Sequence, residues 1–211
     1  ILGSLNILEN CRKFGVEKII FASSGGEIYG SATRIPTPES YLPSPLSPYG
    51  LNKLTIERYL ALYKKLFGLS YLALRLGNVY GPRQNPYGEA GVIAIFANRM
   101  LTGEQVYVHG SGTQTKDYIF IEDVVEATIL SLEKGYEGVL NIGTGKETSV
   151  LELFNKLKLL TNPSAKKKHV SLPLCSFPRG CLDITKAQKI LKWSPKYSLD
   201  EGLRETVEWF K

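Results

Sequence analysis

Residues 17–30, EKIIFASSGGEIYG, decide the fold of this chain. The apolar residues at 19–22 follow one another without alternation, which is typical of a strand that is buried on both faces in a parallel sheet. The strand is predicted to end in Ser-Ser-Gly-Gly at 23–26, where hydroxyl groups and bare backbone become accessible. In open α/β sheets, ligands bind beyond the carboxyl ends of the strands. This stretch therefore predicts both a fold class and one side of a ligand site.

The flanking sequence supplies the elements that such a strand needs. Helical spacing over residues 5–15 predicts a helix before the strand. After a proline-rich loop, Ser47 is a helix N-cap and Pro48 a first helical residue, and the apolar period continues to Gly68. Ser70–Leu76 then reads as a second buried strand. A strand–helix–strand order implies a right-handed crossover between parallel strands.

The rest of the chain predicts short strands and amphipathic helices, so the fold class is α/β with a parallel sheet and a C-terminal part richer in loops and helices. A glycine- and proline-rich loop is expected over 77–91, and the run Lys166-Lys167-Lys168 is expected in a solvated loop. Short strands are expected at 106–108, 118–120 and 139–142, and helices at 92–101, 122–134, 149–160, 184–191 and 199–210.

Composition excludes several classes of function. The chain has 211 residues, a net charge of +6, three cysteines and two histidines. The cysteines lack a C-x-x-C spacing, which argues against a disulfide scaffold or a metal site and favours a reducing, cytoplasmic setting. No apolar run approaches the ~20 residues of a membrane helix. The basic residues are dispersed and carry no recognition-helix or RNP pattern, so no nucleic-acid partner is expected.

Tyr49 and Lys53 form a Y-x-x-x-K pair on the long predicted helix. Residues four apart lie on one face, one turn from each other. An ammonium near a phenol stabilises the phenolate and lowers the phenol's pKa, which a tyrosine needs before it can act as a general base. Composition alone predicts about one such pair by chance, so the pair gains meaning only from its surroundings.

Those surroundings resemble a known family along nearly the whole chain. The matching stretches are FASSGGEIYG, SPLSPYGLNK, RLGNVYGPRQNPYGEAGVIAIF, GSGTQTKDYIFIEDVVEA, LNIGTGKETSVLELF and KWSPKYSLDEGLRETVEWF. In this order they resemble the extended short-chain dehydrogenase/reductase family, and within it the NAD-dependent UDP-glucose 4-epimerases. The resemblance implies a cytoplasmic homodimeric isomerase that inverts C4 of a UDP-hexose through a 4-keto intermediate, with NAD as cofactor and no metal.

The resemblance also implies a division of the chain. Residues 1–80, with 118–143, would form the latter part of a Rossmann-type doubly wound parallel sheet that binds NAD. Residues 81–117 and 144–211 would form a small α+β domain that binds the nucleotide sugar.

Site residues follow from the same resemblance. Tyr49 would be the catalytic base and acid, and Lys53 would bind the nicotinamide ribose and depress the pKa of Tyr49. Ser24 would hydrogen-bond the sugar 4-hydroxyl; the alignment also admits Gly25, which has no side chain for that task. Leu76 would contact the cofactor.

The substrate side is expected in the second half of the chain. Lys116 stands where relatives carry arginine, and it lacks the bidentate fork that suits a phosphate. His109 stands where relatives often carry phenylalanine near the uracil. The backbone N–H groups of the segment 88–92 would face the diphosphate. The implied substrate-binding residues are Ser24, Asn78, Gly91, Val92, His109, Lys116 and Arg179.

Two other functions stay open. Sugar-nucleotide dehydratases of the family place a glutamate where this chain has Glu27, as the group that abstracts a proton. In this chain Gly25 and Gly26 replace the Thr and the acid that precede that glutamate in the dehydratases. Elimination of water needs an acid as well as a base. Dehydration is therefore a weaker interpretation than epimerisation. The other alternative is a non-catalytic UDP-sugar-binding remnant.

The family begins with a strand and G-x-x-G-x-x-G, a spacing that occurs nowhere in these 211 residues. The chain is therefore expected to be an N-terminally truncated form. We expect it by itself to hold NAD weakly and not to turn over UDP-galactose, because that turn and its helix N-terminus bind the pyrophosphate. Acid release followed by absorbance measures bound NAD. One NAD per purified chain would contradict the expectation.

Overall fold

The computed structural model of the chain describes residues 1–88, 91–173 and 176–211. These ranges contain helices and short strands. The helices are α1 (Leu2–Lys13), α2 (Gly25–Ile28), α3 (Pro48–Phe67), α4 (Val92–Leu101), α5 (Ile121–Glu133), α6 (Val150–Leu160), α7 (Thr185–Leu191) and α8 (Leu199–Phe210). The strands are β1 (Lys18–Ser24), β2 (Ser70–Leu76), β3 (Asn78–Tyr80), β4 (Val106–His109), β5 (Thr115–Lys116), β6 (Tyr118–Phe120), β7 (Gly138–Ile142), β8 (Thr148–Ser149) and β9 (Lys167–Val170).

The main sheet is parallel, as the sequence predicts. Its strand order is β1-β2-β7, and α3 is the crossover that connects β1 to β2. The register places Ser24 beside Leu76, and Leu76 beside Ile142. The three strands therefore end together, and residues that follow them meet at one edge of the sheet.

Two segments differ from the expected loops. In the stretch 77–91, Gly77 is followed by β3, which pairs in parallel with β6. Gly77 allows the chain to approach the residue that precedes β6. A Cβ on Gly77 would lie 2.8 Å from the Asp117 carbonyl oxygen. The lysine run enters β9, which pairs in parallel with β4 and keeps Lys167 and Lys168 exposed. Both pairings join residues distant in the chain, which local sequence patterns do not reveal.

The buried apolar residues form separate clusters around these elements. One lies between α1, α3 and the start of β2 and includes Leu8 and Leu60. A second covers the main sheet and includes Leu74 and Trp193. A third, which includes Phe154, packs α4, α6 and α8 together. Within the described ranges no helix is long and apolar enough to cross a membrane.

A buried ion pair fastens α3 to the main sheet. Glu57 on α3 and Arg75 on β2 are 5% and 4% exposed, and Arg75 donates to both carboxylate oxygens, at 3.0 and 2.7 Å. Ser23 of β1 also donates to Glu57, at 2.6 Å. Arg75 further donates to the Tyr29 hydroxyl, at 2.9 Å, and Tyr29 donates to Asn141 of β7, at 2.8 Å. The network thus ties one helix to all three strands.

Replacing Arg75 with Met should lower the free energy of unfolding by about 3–5 kcal/mol, because Glu57 then stays buried without its counter-ion. The matched control is Lys64→Met, which breaks the half-exposed pair with Glu137 and should cost under about 1 kcal/mol. Urea unfolding of both variants measures the difference. Equal, small losses in the two variants would contradict this account of the network.

Candidate active site

The first turn of α3 is fastened to the segment that follows β1. Ser47 is the N-cap, and its hydroxyl accepts from the Gly50 N–H at 3.1 Å, as the sequence predicts. The same hydroxyl donates to Glu27 Oε2 of α2 at 2.8 Å. A Cβ on Gly50 would lie 2.6 Å from the Glu27 carbonyl oxygen, so only glycine permits this approach. Tyr49 is thereby held opposite the end of β1.

Three successive turns of α3 lie against the last three residues of β1. Lys53 Nζ donates to the Ala22 carbonyl oxygen at 2.7 Å, and Glu57, one turn further along, accepts from Ser23. At the N-terminal end of the helix, the Tyr49 phenol lies close enough to the Ser24 hydroxyl for that group to lower its pKa. The predicted face of the helix therefore exists, and its third member, Glu57, is a residue that sequence reasoning missed.

The structure reverses the expected direction of the Tyr49 pKa. Burial raises the pKa of the phenol, a hydrogen bond with Ser24 lowers it, and the Glu27 carboxylate raises it again. The Lys53 ammonium lies 5.6 Å from the phenol ring centroid and is bonded to a backbone carbonyl oxygen, and it does not lower the pKa of the phenol. Burial lowers the pKa of Lys53 itself. In this chain Tyr49 is therefore a protonated, half-exposed phenol at neutral pH.

A pocket of about 600 Å³ lies between α4, β4, β5 and the segment after β9. Most of the predicted substrate residues line it, and the structure brings together Asn78, Gly91, Val92, His109 and Lys116. Other lining residues were missed from the sequence, and these include Phe96, Arg99, Tyr107, Leu172 and Phe177.

One sequence signal could have found part of the missed lining. Tyr107 lies between two fully buried valines in β4, so its side chain faces the opposite side of the strand. The Arg99 guanidinium stacks over that ring, with its carbon 5.1 Å from the ring centroid. Leu172 and Phe177 sit in an irregular segment and carry no such signal. His109 is exposed at the end of the same strand, with Nδ1 3.0 Å from the Ser171 carbonyl oxygen.

Lys116 is a cation of this pocket, as is Arg99. Its ammonium lies 2.9 Å from the Phe177 ring centroid and 3.5 Å from the Phe177 carbonyl oxygen. Burial lowers the pKa of Lys116 to about 8, against the smaller raising effect of Glu27. An anionic ligand would restore the charged form, because an opposite charge stabilises it.

Two predicted residues, Arg179 and Leu76, lie outside this pocket. Arg179 pairs with both carboxylate oxygens of Glu147, is exposed, and is not among the described residues that line the pocket. That it binds the substrate phosphate stays a prediction, and such binding would require its guanidinium to leave Glu147. Leu76 ends β2 beside Ser24, half-buried on the main-sheet cluster. Of the segment 88–92, residues 89 and 90 lie outside the described residues.

Asp117 ties the loops of the site together and was also missed. It is 2% exposed and accepts from the Thr144 N–H at 2.7 Å, the Thr144 hydroxyl at 2.6 Å and the Leu182 N–H at 3.2 Å. Its own carbonyl oxygen accepts from the Asn78 N–H at 2.7 Å. Over the described ranges, no group of three His, Cys, Asp or Glu side chains could hold a metal ion.

A family model described as the NAD dependent epimerase/dehydratase family matches residues 1–143. The chain belongs to this family. A crystal structure of UDP-glucose 4-epimerase from Thermotoga maritima with UDP-glucose superposes with a TM-score of 0.97 at 49% identity, over all of this chain and 68% of that one. The Thermus thermophilus enzyme with NAD gives 0.93 at 39% identity, over all of this chain and 69% of that one. The curated UDP-glucose 4-epimerase of Mycolicibacterium smegmatis is 38% identical, over all of this chain and 68% of its own length.

Relatives in this epimerase/dehydratase family are not all named for the same reaction. A UDP-glucuronate 4-epimerase from Thermodesulfobacterium geofontis is 34% identical, over all of this chain and 64% of its own length. A UDP-N-acetyl-α-D-glucosaminuronate decarboxylase from Bacillus cytotoxicus is also 34% identical, over 99% of this chain and 68% of its own length. The family and its NAD-dependent chemistry are thus established, whereas the sugar must be argued from the site.

Replacing Lys116 with Met should raise the free energy of unfolding near pH 7, because a buried ammonium loses more hydration than the Phe177 ring restores. In the folded chain, burial lowers the pKa of Lys116 from the usual 10.5 to about 8. As the pH rises from about 8 to 10.5, the unfolding free energy of wild type therefore increases relative to that of the variant, by about 1–3 kcal/mol. Urea unfolding of both proteins near pH 7 and near pH 10 measures the gain. A difference that does not change with pH would contradict the assignment.

Proposed function

We propose that this chain carries the substrate site and the proton-transfer residues of a UDP-hexose 4-epimerase. The observation that carries the proposal is that a residue of the pocket, Asn78, packs against the segment that lies opposite Tyr49. Asn78 lines the pocket, and its Oδ1 lies 3.6 Å from where a Cβ of Gly26 would stand. Gly26 belongs to α2, whose N-cap is Ser24. Asn78 therefore joins the pocket that contains Lys116 to the segment that carries Ser24 and lies opposite Tyr49.

The pocket around Lys116, which we call the pocket end of the site, suits a nucleoside diphosphate. The N-terminus of α4 opens into it, and the N-cap Gly91 provides no side chain to satisfy the first N–H groups of the helix. Such N–H groups, with the helix dipole, favour a phosphate. Lys116 adds a positive charge, and the aromatic residues Tyr107 and Phe177 provide apolar surface for a base. A diphosphate and its uridine would thus find both a charge and a stacking surface.

The end of the site at Tyr49 and Ser24, which we call the reacting end, suits transfer of a proton at C4 of the sugar. The Tyr49 phenol would take the proton of the sugar 4-hydroxyl and later return it, while the Ser24 hydroxyl would hold the same oxygen. NAD, when bound, would accept the hydride from C4 and return it to the opposite face. The chain's own residues fit the nicotinamide ribose: Tyr49 is 53% exposed, and the Lys53 ammonium uses one of its three donors on Ala22.

Glu27 favours a second candidate, 4,6-dehydration, because a base lies next to the reacting end. The epimerase remains the better fit, because Gly25 and Gly26 offer no acid for the departing hydroxyl, and Glu27 already accepts a hydrogen bond from Ser47. The UDP-glucose/UDP-galactose pair, the cytoplasmic location and the homodimer remain parts of the proposal.

Tyr49→Phe tests this function in a hybrid that joins the chain to the segment preceding the matched region in the Thermotoga maritima relative. The variant should lose more than about tenfold in kcat for UDP-galactose, a barrier increase above ~1.4 kcal/mol. Its calorimetric affinity for UDP-glucose should stay within about twofold, because the phenolic oxygen moves a proton and does not hold uridine. Tyr87→Phe, at an exposed tyrosine, is the control. Retention of wild-type kcat by Tyr49→Phe would contradict the assignment.

A further inference from the structure

The side chain of Lys116 is packed in a fixed direction into the pocket. Its strand β5 pairs with β8, and the residue before it forms a parallel bridge with Arg179. Gly180 lies against the aliphatic stem, because a Cβ there would lie 3.6 Å from Lys116 Cδ and 3.0 Å from Phe177 Cε2. The stem is thus packed beside Gly180 and Phe177, and the side chain lines the pocket.

The ammonium at the end of this stem is not paired with a carboxylate. Its Nζ lies 2.9 Å from the Phe177 ring centroid and 3.5 Å from the Phe177 carbonyl oxygen. Within the described ranges Lys116 forms no ion pair, and the described lining of the pocket contains no Asp or Glu. An aromatic ring restores only part of the hydration that a buried ammonium loses. The low pKa of about 8 agrees with this geometry, since Glu27 raises it by less than burial lowers it.

The other titratable groups of the pocket differ from Lys116. Arg99 stays charged, with Nη1 donating to the Gln105 carbonyl oxygen at 3.1 Å. Burial raises the pKa of Tyr118, so that phenol keeps its proton. His109 is exposed, and water therefore solvates it with or without a ligand. The remaining titratable group in the described lining is the half-exposed Tyr107. Just outside the pocket, Asp117 accepts from backbone N–H groups, and Arg179 is paired with Glu147.

We propose that Lys116 takes up a proton as the diphosphate of the nucleotide sugar binds, so that pH just above neutrality controls the affinity of this site. The inference rests on the proposed function, because it assumes that the diphosphate lies between Lys116 and the N-terminus of α4. The phosphates supply the counter-charge that the described lining does not, and an opposite charge stabilises the ammonium. The proton comes from the solvent and is accepted by the lone pair of the neutral amine, and no other bond forms or breaks.

The direction of the pH effect follows from linkage. The complex binds more protons than the free chain, so the affinity falls as the pH rises through the value of about 8 at which the free Lys116 loses its proton. Well below that pH the ammonium is already present, and Lys116 then contributes no pH dependence. An arginine in the same place would contribute none at any pH near neutrality, because a guanidinium stays charged. The lysine therefore gives this pocket a pH response that an arginine would not.

Titration calorimetry of the 211-residue chain with UDP-glucose tests the inference without NAD. Runs in buffers of different ionisation enthalpy measure the number of protons taken up, and UDP-glucose is preferred to UDP because its diphosphate does not ionise near neutral pH. Wild type should take up about half a proton per chain near pH 8 and almost none near pH 6.5. Its affinity should be about fourfold weaker near pH 8.5 than near pH 6.5.

Two substitutions separate Lys116 from other groups. Lys116→Arg keeps the charge and removes the titration, so it should take up no proton near pH 8, and its affinity should change by less than about 1.5-fold over the same range. Lys211→Arg makes the same change at an exposed lysine outside the pocket. This matched control should keep the proton uptake and the pH dependence of wild type.

The outcomes separate this inference from the proposed function. If UDP-glucose does not bind at either pH, the proposed function fails and the inference fails with it. If UDP-glucose binds to wild type without proton uptake near pH 8, only the inference is overturned. Uptake that persists in Lys116→Arg belongs to another group, such as His109, and also overturns it. Should Lys116→Arg fold poorly, Lys116→Met removes the titrating group and should likewise bind UDP-glucose, more weakly, without proton uptake.

Discussion

The buried pair of Glu57 and Arg75 is the interaction on which the rest of the structure depends. Burying two charges is favourable only when both are fully hydrogen-bonded, and here Ser23, Tyr29 and both carboxylate oxygens complete the set. Because Glu57 lies on the same face of α3 as Tyr49 and Lys53, the pair fixes the rotation of that helix as well as its position. A helix that slid or rotated on the sheet would have to leave an unpaired charge in the core. The Y-x-x-x-K pair therefore meets the end of β1 in a single register.

Charge is distributed unevenly along the cleft that results. Lys116 and the open N-terminus of α4 make the pocket end positive, and Glu27 makes the reacting end negative. A ligand with an anionic diphosphate matches the positive end. The raised pKa of Tyr49 belongs to the same picture, since burial and Glu27 both favour the protonated phenol. Such a phenol is a proton donor at neutral pH and becomes a base only when further positive charge is brought beside it.

The sequence predicted what local patterns determine. The cap at Ser47 and the helix from Pro48, the strand Ser70–Leu76 and the parallel sheet are all present, because their apolar period and capping residues act over a few positions. The resemblance named five of the residues that line the pocket, but not the neighbours that decide how each behaves. Arg179 pairs with Glu147 through a fold that brings residues 32 positions apart into contact. β9 and the role of Asp117 likewise depend on long-range pairing. The direction of the Tyr49 pKa could not be read from spacing, because it depends on burial.

The central claim is that one cleft orients a UDP-sugar with its phosphates at Lys116 and its C4 at Tyr49. The crystal structure of the chain grown with UDP-glucose tests this most directly. The account predicts the diphosphate against the N-terminus of α4 and Lys116, and the sugar 4-hydroxyl within roughly 3 Å of Tyr49 Oη and Ser24 Oγ. A UDP-glucose molecule bound in this pocket with its hexose directed away from Tyr49, or bound at another surface, would contradict the account.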